Sequence, residues 1–341
     1  MSEKGMCRTV TIGVIAYNEQ GHLPALLHDI VMQSYPHELT DIILVDGGSR
    51  DKTKVIMQSF QAEYSDSFRS ITVLDNPGRI QAAGWNVVLE NYNSDVIIRV
   101  DAHSGIARDF IEKAMGCINS GESVCGGITE MVTADSTKWD STMLKAEISL
   151  FGAGIAKFKR NPPVRSYVDT VSFPAYRKDV TDRVGLFNEG LIRTEDNEYH
   201  YRIRKAGYKI CFDPAIRSHH SIRSSFRGMI MQKYSNGEWI GRTLLKCPMC
   251  LSWYHMVPGA FVAGVVAATA AAAEGRRLPA KALWCAYSLA NLMMSAAAKP
   301  EQPTDACLPF IFLSLHTAYG AGTIRGIAGG LLNYIRQSTE R

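Results

Sequence analysis

The chain has almost no excess of either charge: 37 Lys and Arg stand against 33 Asp and Glu, a formal net charge of +4. So mild an excess gives no reason to expect nucleic acid as a partner. Cysteine is thin as well. The eight residues, at 7, 117, 125, 211, 247, 250, 285 and 307, form no dense framework, so reduced thiols are the default and a disulfide scaffold is excluded. Cys247-Pro-Met-Cys250 is the one close pair, and it lacks the second pair that zinc spacing requires. The N-terminus, Met1-Ser2-Glu3-Lys4-Gly5, lacks an apolar h-region, so no signal peptide is expected. Neither an internal repeat nor a low-complexity linker stands out, which leaves a globular reading.

What the chain does have is length and a split in polarity. Its 341 residues suffice for a large core and for two domains. The mean hydropathy of −0.07 averages over unlike parts. Residues 247–273, 282–298 and 306–324 contain no Asp, Glu, Lys or Arg, and a bilayer crossing takes roughly 20 residues. These stretches are rich in alanine, as in Ala267-Ala268-Thr269-Ala270-Ala271-Ala272-Ala273, and alanine is only weakly membrane-seeking. A buried helical subdomain is one reading. Three such stretches after a charged domain favour the other, membrane attachment.

The first half alternates strand and helix signals. Strands are expected at Thr9–Ala16, Asp41–Val45, Ser70–Leu74 and Val96–Val100, from short runs rich in Val and Ile. Helices are expected near 21–34, 52–64, 80–89 and 109–119, where apolar residues such as Leu23, Leu26, Leu27 and Ile30 recur at helical spacing. Such alternation predicts an α/β fold with a doubly wound parallel sheet. After Val124 the pattern turns mixed, as an antiparallel extension would be. Gly152 to Tyr167, with Pro162-Pro163, reads as a mobile loop. Thr194 as N-cap with carboxylates behind it predicts a helix over 195–205, and a strand follows at Tyr208–Phe212.

Two strands stop at an acid, Asp46 and Asp101. Ligands of open α/β sheets collect at those strand ends, so a polar, phosphorylated and metal-bound ligand is expected there. Asp101-Ala102-His103 offers two metal ligands at i and i+2; a divalent ion bridging a diphosphate needs no more from the protein. The same pair also reads as a turn-capping Asp beside a surface His. Asp46 before Gly47-Gly48 reads either as a ribose or base ligand or as a turn former. Glu195-Asp196 at a helix start also suits the helix dipole alone.

Taken together, these segments resemble the family 2 inverting glycosyltransferases, which have a GT-A fold and use nucleotide-sugar donors. Val14-Ile15-Ala16-Tyr17-Asn18-Glu19 is similar to the family's first strand. Val45-Asp46-Gly47-Gly48-Ser49-Arg50-Asp51-Lys52-Thr53 is similar to its D-x-S-x-D-x-T segment, displaced by one glycine. Asn76 to Asn86 looks like the donor-side loop and helix, and Asp101-Ala102-His103 fills the D-x-D slot. Val184-Gly185-Leu186-Phe187-Asn188-Glu189 and then Glu195-Asp196 resemble the stretch leading to the catalytic base. Within the family, Arg99 to Ser104 and Val168 to Arg177 look like the succinoglycan-type exopolysaccharide glucosyltransferases.

The resemblance implies roles. Asp196 is the expected base, with Glu195 ordering the acceptor or the local hydrogen bonds. Ala16, Tyr17, Glu19, Asp46, Arg79 and Asp101 are expected to bind the donor, a UDP-sugar carrying glucose or another hexose. Asp101 and His103 are expected to hold Mn²⁺ or Mg²⁺. His103 replaces the usual carboxylate; imidazole favours Mn²⁺ and ties metal binding to pH above roughly 6.5. Residues 232–239 lack the Q-x-x-R-W of processive synthases, which favours single additions.

The expected organisation is a GT-A catalytic domain over 1–245 and a hydrophobic, membrane-associated helical region over 246–341. The acceptor is expected to be a lipid-linked saccharide. Arg217, Arg223, Arg227, Lys233, Arg242 and Lys246 precede the apolar tail and read as attracting anionic head groups, each worth about 1 kcal/mol near the surface, as binding an acceptor's lipid diphosphate, or as a solvated basic face. Positive-inside counting puts the catalytic domain on the cytoplasmic side of the cell membrane. Arg276, Arg277 and Lys281 complicate a simple hairpin and keep re-entrant helices open. Two other functions remain. One is an inactive nucleotide-binding scaffold, which has no need of Asp46, Asp101 and Asp196 together. The other is a sugar-phosphate nucleotidyltransferase, which wants a Gly-rich basic loop where Tyr17-Asn18-Glu19-Gln20 stands.

Overall fold

A computed structural model describes residues 8–133, 137–152, 163–221 and 225–339. They fall in two compact units, one within 1–130 and 161–221, the other within 131–160 and 222–341. The expected loop at 152–167 lies mostly outside the described residues, as does Arg223.

The first unit is built on four parallel strands, β1 (Val10–Ala16), β2 (Thr40–Asp46), β3 (Ser70–Asp75) and β4 (Val96–Asp101). β1 pairs with both β2 and β4, and β2 with β3. β2 is buried at every residue and β1 at nearly every one, as strands covered on both faces must be. The helices are α1 (Leu23–Val31), α2 (Thr53–Tyr64), α3 (Gln81–Asn91) and α4 (Phe110–Asn119). Their apolar faces close one core around Ile12, Val14, Ile42, Leu44, Ile98 and Phe110. The predicted strands and helices of this half are all present, with ends shifted by a few residues.

The full sheet is mixed, in the order β3-β2-β1-β4-β8-β6-β9-β5. Its remaining strands are β5 (Ser104–Ile106), β6 (Val124–Val132), β7 (Ser166–Val168), β8 (Ala175–Arg177) and β9 (Ile210–Ser221). β8 runs antiparallel to both β4 and β6, and β5 and β7 run antiparallel to β9. The chain leaves the parallel plane at Asp101-Ala102-His103, so that Ser104 pairs with His220 on β9. Gly105 permits this pairing, because a Cβ there would lie 2.1 Å from the His219 ring. These short strands were missed in sequence because three residues carry no period.

Among the described residues the middle of the chain also holds the helices α5 (Lys138–Ile148), α6 (Lys178–Val184) and α7 (Glu195–Lys205). Thr194 sits at the N-cap of α7 as expected, but its side chain makes no capping bond. Its carbonyl instead accepts from the Glu198 amide at 3.1 Å, and the Asp196 carboxylate takes the Asn197 amide at 2.8 Å. Glu195, Asp196 and Glu198 open the helix while Arg202, Arg204 and Lys205 close it, matching the helix dipole.

The second unit contains α5, α8 (Phe226–Lys246), α9 (Val257–Ala273), α10 (Leu278–Ala297) and α11 (Leu308–Thr339). Two segments, Trp253–Ala273 and Pro303–Leu332, are long and apolar enough to cross a membrane. The third charge-free stretch forms α10, where Asn291 and Ser295 are buried and polar. α8 and α11 meet through paired G-x-x-x-G sequences, Gly237/Gly241 and Gly322/Gly326. A Cβ at any of the four would come within 2.3 Å of a carbonyl oxygen opposite. Small residues let the two backbones touch. The basic connector is not a free array of cations: Lys233 is buried against Glu147 at 2.8 Å and Arg242 binds Glu238 at 2.6 Å.

One helix therefore carries opposite responses to one substitution. Gly326→Ala places a methyl 2.0 Å from the Glu238 carbonyl oxygen and should destabilise by about 1–3 kcal/mol. Gly329 has nothing within 4 Å of such a methyl, so Gly329→Ala should stabilise by about 0.4–1 kcal/mol. Thermal unfolding of the two detergent-purified variants checks the sign.

Candidate active site

Two loops beyond the carboxyl ends of β1 and β2 are laced together. Asn18 donates its amide to Ser49 Oγ (3.0 Å), and its Oδ1 accepts the Arg50 amide (2.9 Å). Gln20 donates to Asp51 Oδ2 (3.2 Å) and accepts from Lys52 (3.1 Å). Thr53 Oγ1 accepts the Glu19 amide at 2.8 Å and donates to Asp51 Oδ1 at 2.6 Å. Asn18 holds φ +56°, a left-handed conformation that Asn tolerates better than most residues. The acids and hydroxyls of the D-x-S-x-D-x-T segment thus build the loop itself.

Asp46 takes the turn-forming option. It is 3% exposed, and Oδ2 accepts the amides of Gly48 and Ser49, both at 3.1 Å. Ala16 is its partner in register. Neither residue lines the cleft above. Tyr17, Glu19, Arg79, Gln81, Asp101 and His103 do. That cleft lies at the ends of β1 and β4, where strand order reverses, which is the ligand crevice of open α/β sheets.

Within it, Asp101 Oδ1 faces Gln81 Nε2 at 3.4 Å, and His103 Nδ1 stands 3.3 Å from Glu19 Oε1. Glu19 Oε2 meets His22 Nδ1 at 3.1 Å. Burial alone would raise the Glu19 pKa, but the two imidazoles outweigh it and hold the carboxyl below its usual value. Among the described residues no three His, Cys, Asp or Glu converge as a ready metal cage. Asp101 and His103 still fit a divalent ion whose other ligands are phosphate oxygens and water.

Arg99, two residues before Asp101, connects this cleft to α7. Its guanidinium is almost fully buried, lies 4.9 Å over the Trp85 ring, and reaches 3.8 Å from Asp101 Oδ1 and 3.6 Å from Glu195 Oε1. Glu195 is 2% exposed; burial and then Asp196 push its carboxyl up to about 8, against the pull of Arg99. Its Oε2 has no hydrogen-bond partner. Burial raises the half-buried Asp196 too, again with Arg99 opposing. Arg99 was absent from the expected site residues. Its signal was one cation inside Val-Ile-Ile-Arg-Val-Asp, since a buried charge must be paired.

Neutral contacts hold α7 in place. His200 accepts or donates at 2.7 Å to Thr170 Oγ1 and at 2.9 Å to the Tyr176 hydroxyl. Burial, then Arg99 and Arg204, push its imidazole down to about 3, so it stays uncharged. Asn86 on α3 grips the loop before α7: Oδ1 accepts the Phe187 amide (2.7 Å), while Nδ2 donates to the Phe187 carbonyl (3.1 Å) and Glu189 Oε1 (2.8 Å). The Phe187 ring stacks on Tyr199 of α7, 3.9 Å between centroids.

A parallel β3-β2-β1-β4 half with an antiparallel extension and an acid at the switch-point strand end defines a GT-A glycosyltransferase fold. It is shared by a mannosyltransferase from Pyrobaculum calidifontis, solved with GDP-Man and Mn²⁺, with TM-score 0.63 and 18% identity, covering 93% of this chain and 86% of that one. The chain belongs to glycosyl transferase family 2, whose model matches residues 11–185. The matched segment includes Asp46, Asp101 and His103 and ends before Glu195. Two curated relatives span nearly the whole chain. One is a dolichyl N-acetyl-alpha-D-glucosaminyl phosphate 3-beta-D-2,3-diacetamido-2,3-dideoxy-beta-D-glucuronosyltransferase of Methanococcus voltae, 24% identical over 94% of this chain and 98% of its own length. The other is the succinoglycan biosynthesis protein ExoA of Rhizobium meliloti (strain 1021), 26% identical over 94% and 96%.

Asn86→Leu should strip the Phe187 amide and carbonyl of their partners. Buried polar groups left unpaired cost about 1–3 kcal/mol each. Chemical denaturation of the purified variant should show a loss of at least that size.

Proposed function

We propose that this family 2 enzyme transfers a hexose, with inversion, from a nucleoside diphosphate sugar to a lipid-linked glycan acceptor in cell-surface or exopolysaccharide synthesis. The observation that carries the reading is the meeting of Asp101, Glu195 and Asp196 around the single guanidinium of Arg99. It joins a diphosphate-side acid to a base-side pair at the sheet's switch point. The names of the two long relatives, one acting on a dolichyl-linked sugar phosphate and one in succinoglycan biosynthesis, support the acceptor class. Glucose on UDP is the donor we favour.

Asp196 is the base in this reading. As the acceptor oxygen bonds to the anomeric carbon, its proton passes to the Asp196 carboxylate, and the anomeric C–O bond breaks with its electrons moving to the departing diphosphate. A divalent ion, Mn²⁺ in preference to Mg²⁺, held by Asp101 and His103, would stabilise the charge on the leaving group. Glu195 orders the start of α7 through Arg99. Tyr17, Glu19 and Arg79 border the donor from the cleft wall, and Ala16 and Asp46 support that wall from beneath. We assign residues 1–245 to catalysis and 246–341 to membrane attachment, through Trp253–Ala273 and Pro303–Leu332, with the catalytic part facing the cytoplasm.

Asp196→Asn should cut turnover by roughly 10²–10⁴-fold, the usual worth of a general base, while donor binding stays intact. Release of nucleoside diphosphate and equilibrium donor binding measure the two separately; an Asn variant that keeps most of its activity sinks the assignment. The pH profile tests the electrostatics. A raised Asp196 pKa means activity falls away on acidification at a pH above the ordinary carboxylate range of about 4. Arg99→Met removes the opposing charge, so the acidic limb of turnover should move to still higher pH. Arg99→Lys should lie between.

A further inference from the structure

We propose that Glu19 is a positioning residue for His103: its carboxylate holds the imidazole in the Nδ1–H tautomer and so makes Nε2 the metal-coordinating atom. The inference deepens the metal assignment above and rests on it. Ligating histidines characteristically donate their other ring N–H to a carboxylate, which fixes tautomer and ring direction and strengthens the coordinating nitrogen. The geometry supplies that arrangement, with His103 Nδ1 3.3 Å from Glu19 Oε1.

Glu19 is built as a rigid support. Its amide is bound by Thr53 Oγ1 at 2.8 Å, and its carbonyl accepts the amides of His22 (3.0 Å) and Leu23 (2.9 Å) at the start of α1. Its second carboxylate oxygen is steadied by His22 at 3.1 Å. On its other side the His103 ring meets the edge of His220, 4.6 Å between centroids, with Phe173 behind at 6.4 Å from His220. The carboxylate is aimed at the imidazole and does not converge with Asp101 and His103 as a third ligand. In a chain where His103 fills the slot of a second carboxylate, Glu19 brings a negative charge back to the site one layer further out.

The test is binding of Mn²⁺ alone to the detergent-purified full chain, read by the EPR signal of free Mn²⁺. Glu19→Ala should weaken the affinity about 10–100-fold, the usual cost of losing such a partner. Glu19→Gln, which keeps an acceptor oxygen and loses the charge, should weaken it less. Asp101→Asn separates the two claims. If it leaves Mn²⁺ binding unchanged, the metal assignment itself fails. If it weakens binding while both Glu19 variants do not, only the positioning role fails. Nitrogen-15 spectra of histidine-labelled, metal-free protein give a readout independent of metal. His103, assigned by the signal lost in His103→Gln, should be protonated at Nδ1, and the ring should shift toward Nε2–H in Glu19→Ala. An Nε2–H tautomer in the unmodified protein overturns the proposal.

Discussion

One buried cation organises the first unit. Arg99 sits in the middle of an apolar parallel strand, where an unpaired charge would cost several kcal/mol. It is tolerated because the acidic side chains of Asp101, Glu195 and Asp196 face it and the Trp85 ring lies beneath it. Those acids come from places far apart in sequence, Asp101 from the end of its own strand and Glu195 and Asp196 from the start of a distant helix. Each side needs the other. Without the guanidinium the acids repel one another in a poorly solvated site; without the acids the guanidinium has no business in the sheet.

The rest of the unit keeps that meeting point in register. Asn86 and the Phe187–Tyr199 stack hold the loop that leads into α7, and neutral His200 pins the helix to β8 through Tyr176. The laced loops beyond β1 and β2 bring Tyr17 and Glu19 to the cleft by spending the side chains of Asn18, Asp46, Asp51 and Thr53 on backbone amides. A motif whose residues look like ligands bonds here mostly to its own backbone, and its neighbours Tyr17 and Glu19 line the cleft. In the helical unit the comparable device is backbone contact: four glycines let α8 and α11 touch, and a buried Lys233–Glu147 pair fixes α5 to α8.

Much of the fold was legible in the chain. Val, Ile and Leu runs bounded by Gly, Asn and Asp marked the four parallel strands, and helical spacing of Leu23, Leu26, Leu27 and Ile30 marked α1, because these periods follow from burying one face of a regular element. The positions of Asp101 at a strand end and of Asp196 at a helix start were legible too, since each is a local event. The three-residue strands β5, β7 and β8 were not, because their pairing partners lie across the fold. Thr194 was rightly placed at an N-cap, yet whether its hydroxyl caps depends on the loop entering from Phe187.

By itself, then, the sequence determined which residues lie at strand ends, which stretches are apolar and free of charge, and which acids stand at a strand end or a helix start. All of these depend on neighbours within a few positions along the chain. Only the tertiary structure decided that Asp46 turns inward to its own loop, that Lys233 is buried in an ion pair, that Glu19 meets His103, and that Arg99 gathers three acids. Those outcomes depend on charges and donors brought together from distant segments, and the energy of a buried charge is set by what surrounds it in space.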